Sequence, residues 1–187
     1  MIENGRGFRQ TVAVKFVNYF ALLFVIVALA GCQKPKAVAS PPAPENPPLP
    51  RQAQPTLQEM KIYLGAETLD AELALTPLEQ ETGLMYRTNI TDQTAMLFVF
   101  PQPFQASFWM TNCPDSLSAA YITPDGVIEE IHHLEKDDNV PVVASHNNIQ
   151  YVLEVNDGWF TRHHIGTGTL IRTEKGSLAQ TFFPNGQ

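Results

Sequence analysis

The sequence predicts an α+β domain that is mostly β: about eight short, largely antiparallel strands, sandwich- or barrel-like, with one or two short helices. Three observations predict it. Short runs rich in Leu, Ile, Val, Tyr and Phe recur between turn residues through residues 57–175. A single segment carries a complete helix-start signal. No long helical pattern alternates with the strands, which excludes a doubly wound parallel sheet. About 115 residues are enough to bury a core without staples.

Taken in order, Lys61–Leu64 reads as a strand and Gly65-Ala66 as a turn. Thr68–Leu75 follows as a strand with alternating Leu69, Ala71, Leu73 and Leu75. Thr76 suits an N-cap, Pro77 the first helical position, and Glu79 completes a capping box. Gly83 is placed to end that helix. Met96–Phe100 is continuously apolar, as a strand buried on both faces would be. Pro101 and Pro103 deny it further ladder bonds, and Phe108–Met110 reads as the next strand. The stretch Met96–Cys113 is therefore expected as two core strands joined by a proline-broken turn. Leu117–Ile122 and Val127–Ile131 form a hairpin across Pro124-Asp125-Gly126. His132–Asn148 is polar and reads as a surface loop. Tyr151–Val155 is a strand, Trp159-Phe160 one helical turn, and Thr169–Arg172 a last strand. Residues 176–187 read as a C-terminal tail.

The N-terminus carries an address. Arg6, Arg9 and Lys15 flank an apolar run, Phe16–Leu29, that ends in Leu29-Ala30-Gly31-Cys32. A basic flank, a short apolar run and small residues before a cut site describe an export signal over 1–31. The run is short of the roughly 20 residues that span a bilayer. The LAGC ending resembles the bacterial lipobox, which implies cleavage after Gly31, diacylglycerol on the Cys32 sulfur and N-acylation, with chains such as palmitate. Two or more chains anchor a protein stably to a bilayer. Residues 32–56 would then be the lipidated cysteine and a proline-rich spacer, extended as polyproline II. The expected location is the cell envelope, lipid-anchored. Gln33 in place of an aspartate leans to the outer membrane, facing the periplasm, in a Gram-negative host.

From Leu57 onward there are six Lys/Arg and 17 Asp/Glu, or 6 − 17 = −11. Such a domain repels phosphates and anionic headgroups, which excludes nucleic acid as a partner. The chain has two cysteines, Cys32 and Cys113. With Cys32 acylated, Cys113 is a buried inert thiol, an intermolecular disulfide partner or a reactive thiol.

Four pieces of sequence resemble the family known as domain of unknown function 192. They are Gly83-Leu84-Met85-Tyr86-Arg87, Met96-Leu97-Phe98-Val99-Phe100, Phe108-Trp109-Met110-Thr111-Asn112, and Tyr151-Val152-Leu153-Glu154 followed by Gly158. The resemblance runs over about Lys61 to Arg172 and implies a small, mostly β fold without an established activity. It also marks departures. Ala95 stands where the family has Gly. Cys113, then Ser116-Leu117-Ser118, stand where it reads Thr, then Pro-Leu-Asp. Thr169 follows Gly168 where it often has Asp.

The candidate site gathers Arg87, Trp109, Met110, Asn112, Cys113, Glu154 and Trp159. Arg87 and Glu154 are charges embedded in apolar pattern, expected as a buried ion pair with Asn112 in support. Alternatively they form a polar cluster at the mouth of a pocket walled by Trp109, Met110 and Trp159. Phe98, Phe100, Phe104 and Phe108 read as core. His132-His133 and His163-His164 lack a metal-ligand spacing, and adjacent strand residues point to opposite faces, so no metal or other cofactor is expected. The functional expectation is a non-enzymatic module that binds an envelope protein or a small ligand. The alternative is an envelope hydrolase or transferase using Cys113 or a histidine. No nucleophile elbow, HExxH or motif-spaced carboxylate pair supports that alternative.

Overall fold

The computed structural model describes residues 49–186. The predicted signal peptide, the expected lipidation site Cys32 and the predicted spacer up to residue 48 lie outside the described residues. The described part is mostly β, a curled half-barrel sheet with three short helices. Its strands are β1 (Glu59–Leu64), β2 (Glu67–Ala74), β3 (Ala95–Phe104), β4 (Ser107–Phe108), β5 (Leu117–Ile122), β6 (Ile128–Leu134), β7 (Val142–Val143), β8 (Ile149–Asn156), β9 (Ile171–Thr173) and β10 (Gly176–Ser177). The helices are α1 (Pro77–Thr82), α2 (Trp159–Arg162) and α3 (Leu178–Phe182).

Eight strands form one sheet in the order β10-β9-β1-β2-β3-β8-β5-β6, and β4 pairs with β7 apart from it. β1 and β2 are a hairpin turned by Gly65, whose φ of 61° a side chain would resist. α1 carries the chain from β2 to β3, which therefore run parallel. The other pairings are antiparallel. β8 sits between β3 and β5, and Ile149 to Val155 are all buried. That two-sided burial explains its unbroken apolar reading.

Strand alternation divides the interior into two cores. Leu97, Leu153 and Ala120 face one side, with Trp159 and Phe160 packed into the same cluster. Met96 and Ala119 face the other, beside Phe98, Val152, Tyr121 and Cys113. Register puts Glu72 opposite Met96, Met96 opposite Glu154, and Glu154 opposite Ala119. Two carboxylates thus lie on the second core's face.

Three expectations are corrected. Met96–Cys113 is not two core strands joined at the prolines. Pro101 and Pro103 lie within β3, where the register slips from Val99↔Tyr151 to Phe104↔Ile149. The prolines are accommodated because the strand bulges, leaving those positions off the ladder. Trp109 and Met110 follow β4 outside any strand. Second, residues 176–186 are not a loose tail. β10 closes on β9, and Ser177 with Gln180 forms a capping box that starts α3 and buries Leu178. Third, the end of the spacer is docked. Gln54 Nε2 donates to the carbonyls of Gly83 (2.8 Å) and Glu79 (3.2 Å) and caps the last turn of α1.

Candidate functional site

The site starts from how α1 begins and ends. Thr76 and Glu79 form the predicted capping box, with Thr76 N donating to Glu79 Oε2 at 2.8 Å. Gly83 ends the helix at φ 47°, ψ −133°, a conformation open to glycine and closed to residues with a Cβ. A Cβ there would stand 3.3 Å from the Phe98 ring and 3.9 Å from Glu154 Oε2. Glycine therefore lets the helix end settle over Phe98 and Glu154.

Between that helix end, the bulged half of β3 and β4 lies a cavity of about 260 Å³. Its walls are aromatic. Phe98 and Phe108 meet edge to face at 5.1 Å between ring centres, and Phe100 meets Phe104 at 4.6 Å. Trp109 lines it while 47% exposed. Gln80 Nε2 holds the helix to β3 through the Val99 carbonyl at 2.8 Å.

Glu154 lines the cavity and is 4% exposed. Among the described residues its carboxyl meets no hydrogen-bond donor, and burial alone pushes it up to about 8. Cys113 lines the same cavity. Burial first, then the Glu154 and Asp137 carboxylates, push its thiol up to about 12. Tyr121 is shifted upward by burial and by Glu154 and Glu130, and its hydroxyl donates to the Val142 carbonyl at 2.6 Å. The acidic residues on the cavity wall are Glu81 and Glu154, and among the described residues no Lys, Arg or His lines it.

The predicted site residues divide. Trp109, Cys113 and Glu154 meet at this cavity. Arg87 does not pair with Glu154. It grips Glu72 from Nη1 (3.0 Å) and Nη2 (2.8 Å), and Leu57 N donates to the same carboxylate at 2.7 Å. Register explains the choice, because Met96 lies between Glu72 and Glu154 on that face. Trp159 is no pocket wall. It is buried in the opposite core, stacks on His163 at 4.3 Å and donates from Nε1 to the Asp92 carbonyl at 3.1 Å. Met110 is buried in the second core rather than at the mouth. Asn112 supports the site through its backbone. Its φ is 61°, and its carbonyl accepts from Tyr86 N at 2.8 Å, joining two of the family-like motifs.

The histidines lie elsewhere. His132 pairs with Glu130 at 2.8 Å, and His133 with Asp157 at 2.8 Å. Among the described residues no group of three or more His, Cys, Asp or Glu could hold a metal ion. Among the described residues no histidine pairs with Cys113, which packs in the apolar second core.

Sequence reasoning missed Phe100, Phe104 and Glu81 as cavity residues. The signal was present for the first two: proline on either side of a strand residue marks departure from the ladder. Glu81 gives no such signal, because only the docking of α1 brings it to the wall.

The solved structures most instructive for comparison share this fold. One, from Sinorhizobium meliloti 1021, is provisionally called a transcription regulator. It is 28% identical, with a TM-score of 0.61 over 65% of this chain and 98% of that one. Another, a protein of unknown function from Novosphingobium aromaticivorans DSM 12444, is 30% identical, with a TM-score of 0.60 over 64% of this chain and 90% of that one. No curated protein matches the chain. The family model DUF192, described as an uncharacterized ACR, matches residues 60–173, which contain every strand from β2 to β9 and the whole cavity wall. The chain belongs to the DUF192 family.

Proposed function

We propose that the chain is an exported lipoprotein, held in the cell envelope by acylated Cys32, whose domain binds a small ligand without transforming it. One observation supports the binding reading: the aromatic cavity contains the Glu154 carboxyl, 4% exposed and without a hydrogen-bond partner among the described residues. The carboxyl opens onto the cavity, where a ligand's polar group can meet it. An aromatic cavity with a few convergent polar groups is the usual build of a small-molecule site. At about 260 Å³ the cavity suits a ligand below drug size. The Leu29-Ala30-Gly31-Cys32 sequence supports the anchor. The transcription role attached to the Sinorhizobium protein is not carried over, since an export signal and a domain charge of −11 disfavour contact with nucleic acid.

Nuclear magnetic resonance of the full-length labelled protein, titrated with a set of small aromatic fragments, tests the binding reading. Shifts concentrated at Gly83, Ser107 and Trp109 are expected. Shifts confined to the Arg87–Thr91 region would refute the site. Mass spectrometry of the protein from its native membrane tests the anchor, where a mature N-terminus other than Cys32 would sink it.

A further inference from the structure

We infer that the cavity takes a small organic cation, an ammonium group on an apolar body, with Glu154 as its counter-charge. The inference rests on the binding reading above and adds the ligand's class.

Three features of the cavity select a cation. First, its ionisable carboxyls are Glu81 and Glu154, and among the described residues no basic side chain lines it. Nothing on the wall would balance an anionic ligand, whereas a cation finds a carboxyl that can ionise against it. Second, Glu154 is 4% exposed and its carboxyl has no donor among the described residues. The nearby hydroxyl that could have served, Tyr121, is committed to the Val142 carbonyl. An ammonium group brings three donors and a positive charge to a group that lacks both. Third, Phe98, Phe100, Phe104, Phe108 and Trp109 give it an aromatic wall. Aromatic faces attract cations through their quadrupole, and they pack an apolar body equally well.

A divalent metal fits poorly. Calcium takes six to eight oxygen ligands, whereas this cavity offers two carboxylates, with Gln80, Thr82 and Ser107 as its other oxygen-bearing side chains. A neutral ligand would satisfy the walls and leave Glu154 protonated and donating. A cation instead draws the carboxyl to its ionised form, so binding releases a proton. Cys113 and Tyr121 beside Glu154 keep their protons because they are buried, and Glu81 on the same wall is only half-buried, so the proton released is assigned to the buried Glu154.

Calorimetric titration of the full-length protein in neutral detergent, with three ligands of one shape, tests this. The ligands are phenethylamine, 2-phenylethanol and phenylacetate. Phenethylamine is expected to bind about tenfold or more tighter than 2-phenylethanol, with phenylacetate weakest. In Glu154→Gln the amine is expected to lose that advantage over 2-phenylethanol. Titration in buffers of different ionisation enthalpy is expected to report proton release with the amine alone. Equal affinity for amine and alcohol in the parent protein would overturn the cation inference and leave the binding reading standing. No binding of any of the three would overturn both. The comparison within the parent protein holds even if Glu154→Gln fails to fold.

Discussion

Arg87 holds Glu72 through two parallel hydrogen bonds, at 3.0 and 2.8 Å, and Glu154, beyond Met96 on the same face, has no partner among the described residues. The pair anchors the segment after α1 to β2. Its two side chains are only 20% and 10% exposed. Removing one partner of a largely buried pair strands the other. Glu72→Ala is expected to cost about 3–5 kcal/mol, and Glu72→Leu with Arg87→Met distinctly less. Denaturant unfolding of the single and double variants measures this. Equal losses in both would contradict an ion pair isolated from water.

Glu154 makes stability depend on pH in the less usual direction. Burial raises its carboxyl from 4.5 to about 8. Between those values the folded chain keeps a proton that the unfolded chain has released, so stability falls as pH rises. The contribution is complete below pH 4.5 and lost through about pH 8. It amounts to about 5 kcal/mol at most. Glu154→Gln, which mimics the protonated form, is therefore expected to gain stability over the parent as pH goes from 5 to 9. Urea unfolding of both proteins across that range reads the difference. Asp92 and Asp157, held low by Arg162 and His133 respectively, pull the other way but cancel in the comparison. A difference that stays constant with pH would count against a buried, unpartnered carboxyl.

How much of this was legible in the sequence follows the range of each interaction. The capping box at Thr76 and the stop at Gly83 are local, and sequence alone identifies them. The β5–β6 hairpin is equally local. Trp109, Cys113 and Glu154 were recognisable as apolar or polar residues out of keeping with their surroundings. Their meeting place was not, because β8 inserts between β3 and β5, and sequence order does not announce that insertion. Arg87 had two buried carboxylates within the same face of one sheet, and only register decides between Glu72 and Glu154. The expected tail folds because Ser177 and Gln180 cap a helix over a buried Leu178, a signal as local as the one at Thr76 but overlooked beside the polar residues around it.

Cys113 should behave as an inert thiol. Its thiol is pushed up to about 12, so almost no thiolate exists at neutral pH. Reaction with a disulfide reagent at pH 7.5 is expected to run at least about 100-fold slower in the folded protein than in guanidinium. Equal rates would revive the nucleophile reading.

Gly83 carries two constraints at once, a φ of 47° and a Cβ position 3.3 Å from Phe98. Gly83→Ala is expected to cost about 1–3 kcal/mol from backbone strain. Thermal unfolding checks this, and an unchanged midpoint would show that the helix end can move away from the cavity.

The proposed binding role requires the cavity beneath Gly83 to hold a small ligand in the cell. Native mass spectrometry of the full-length protein, purified gently from its own membrane, tests it most directly. Ser107 lies on the cavity rim and is exposed, so Ser107→Trp can fill the space from outside without disturbing the core. The expected result is a non-covalent adduct at one per chain in the parent, absent from Ser107→Trp. No adduct in the parent, or the same adduct in a folded Ser107→Trp protein, would contradict the account.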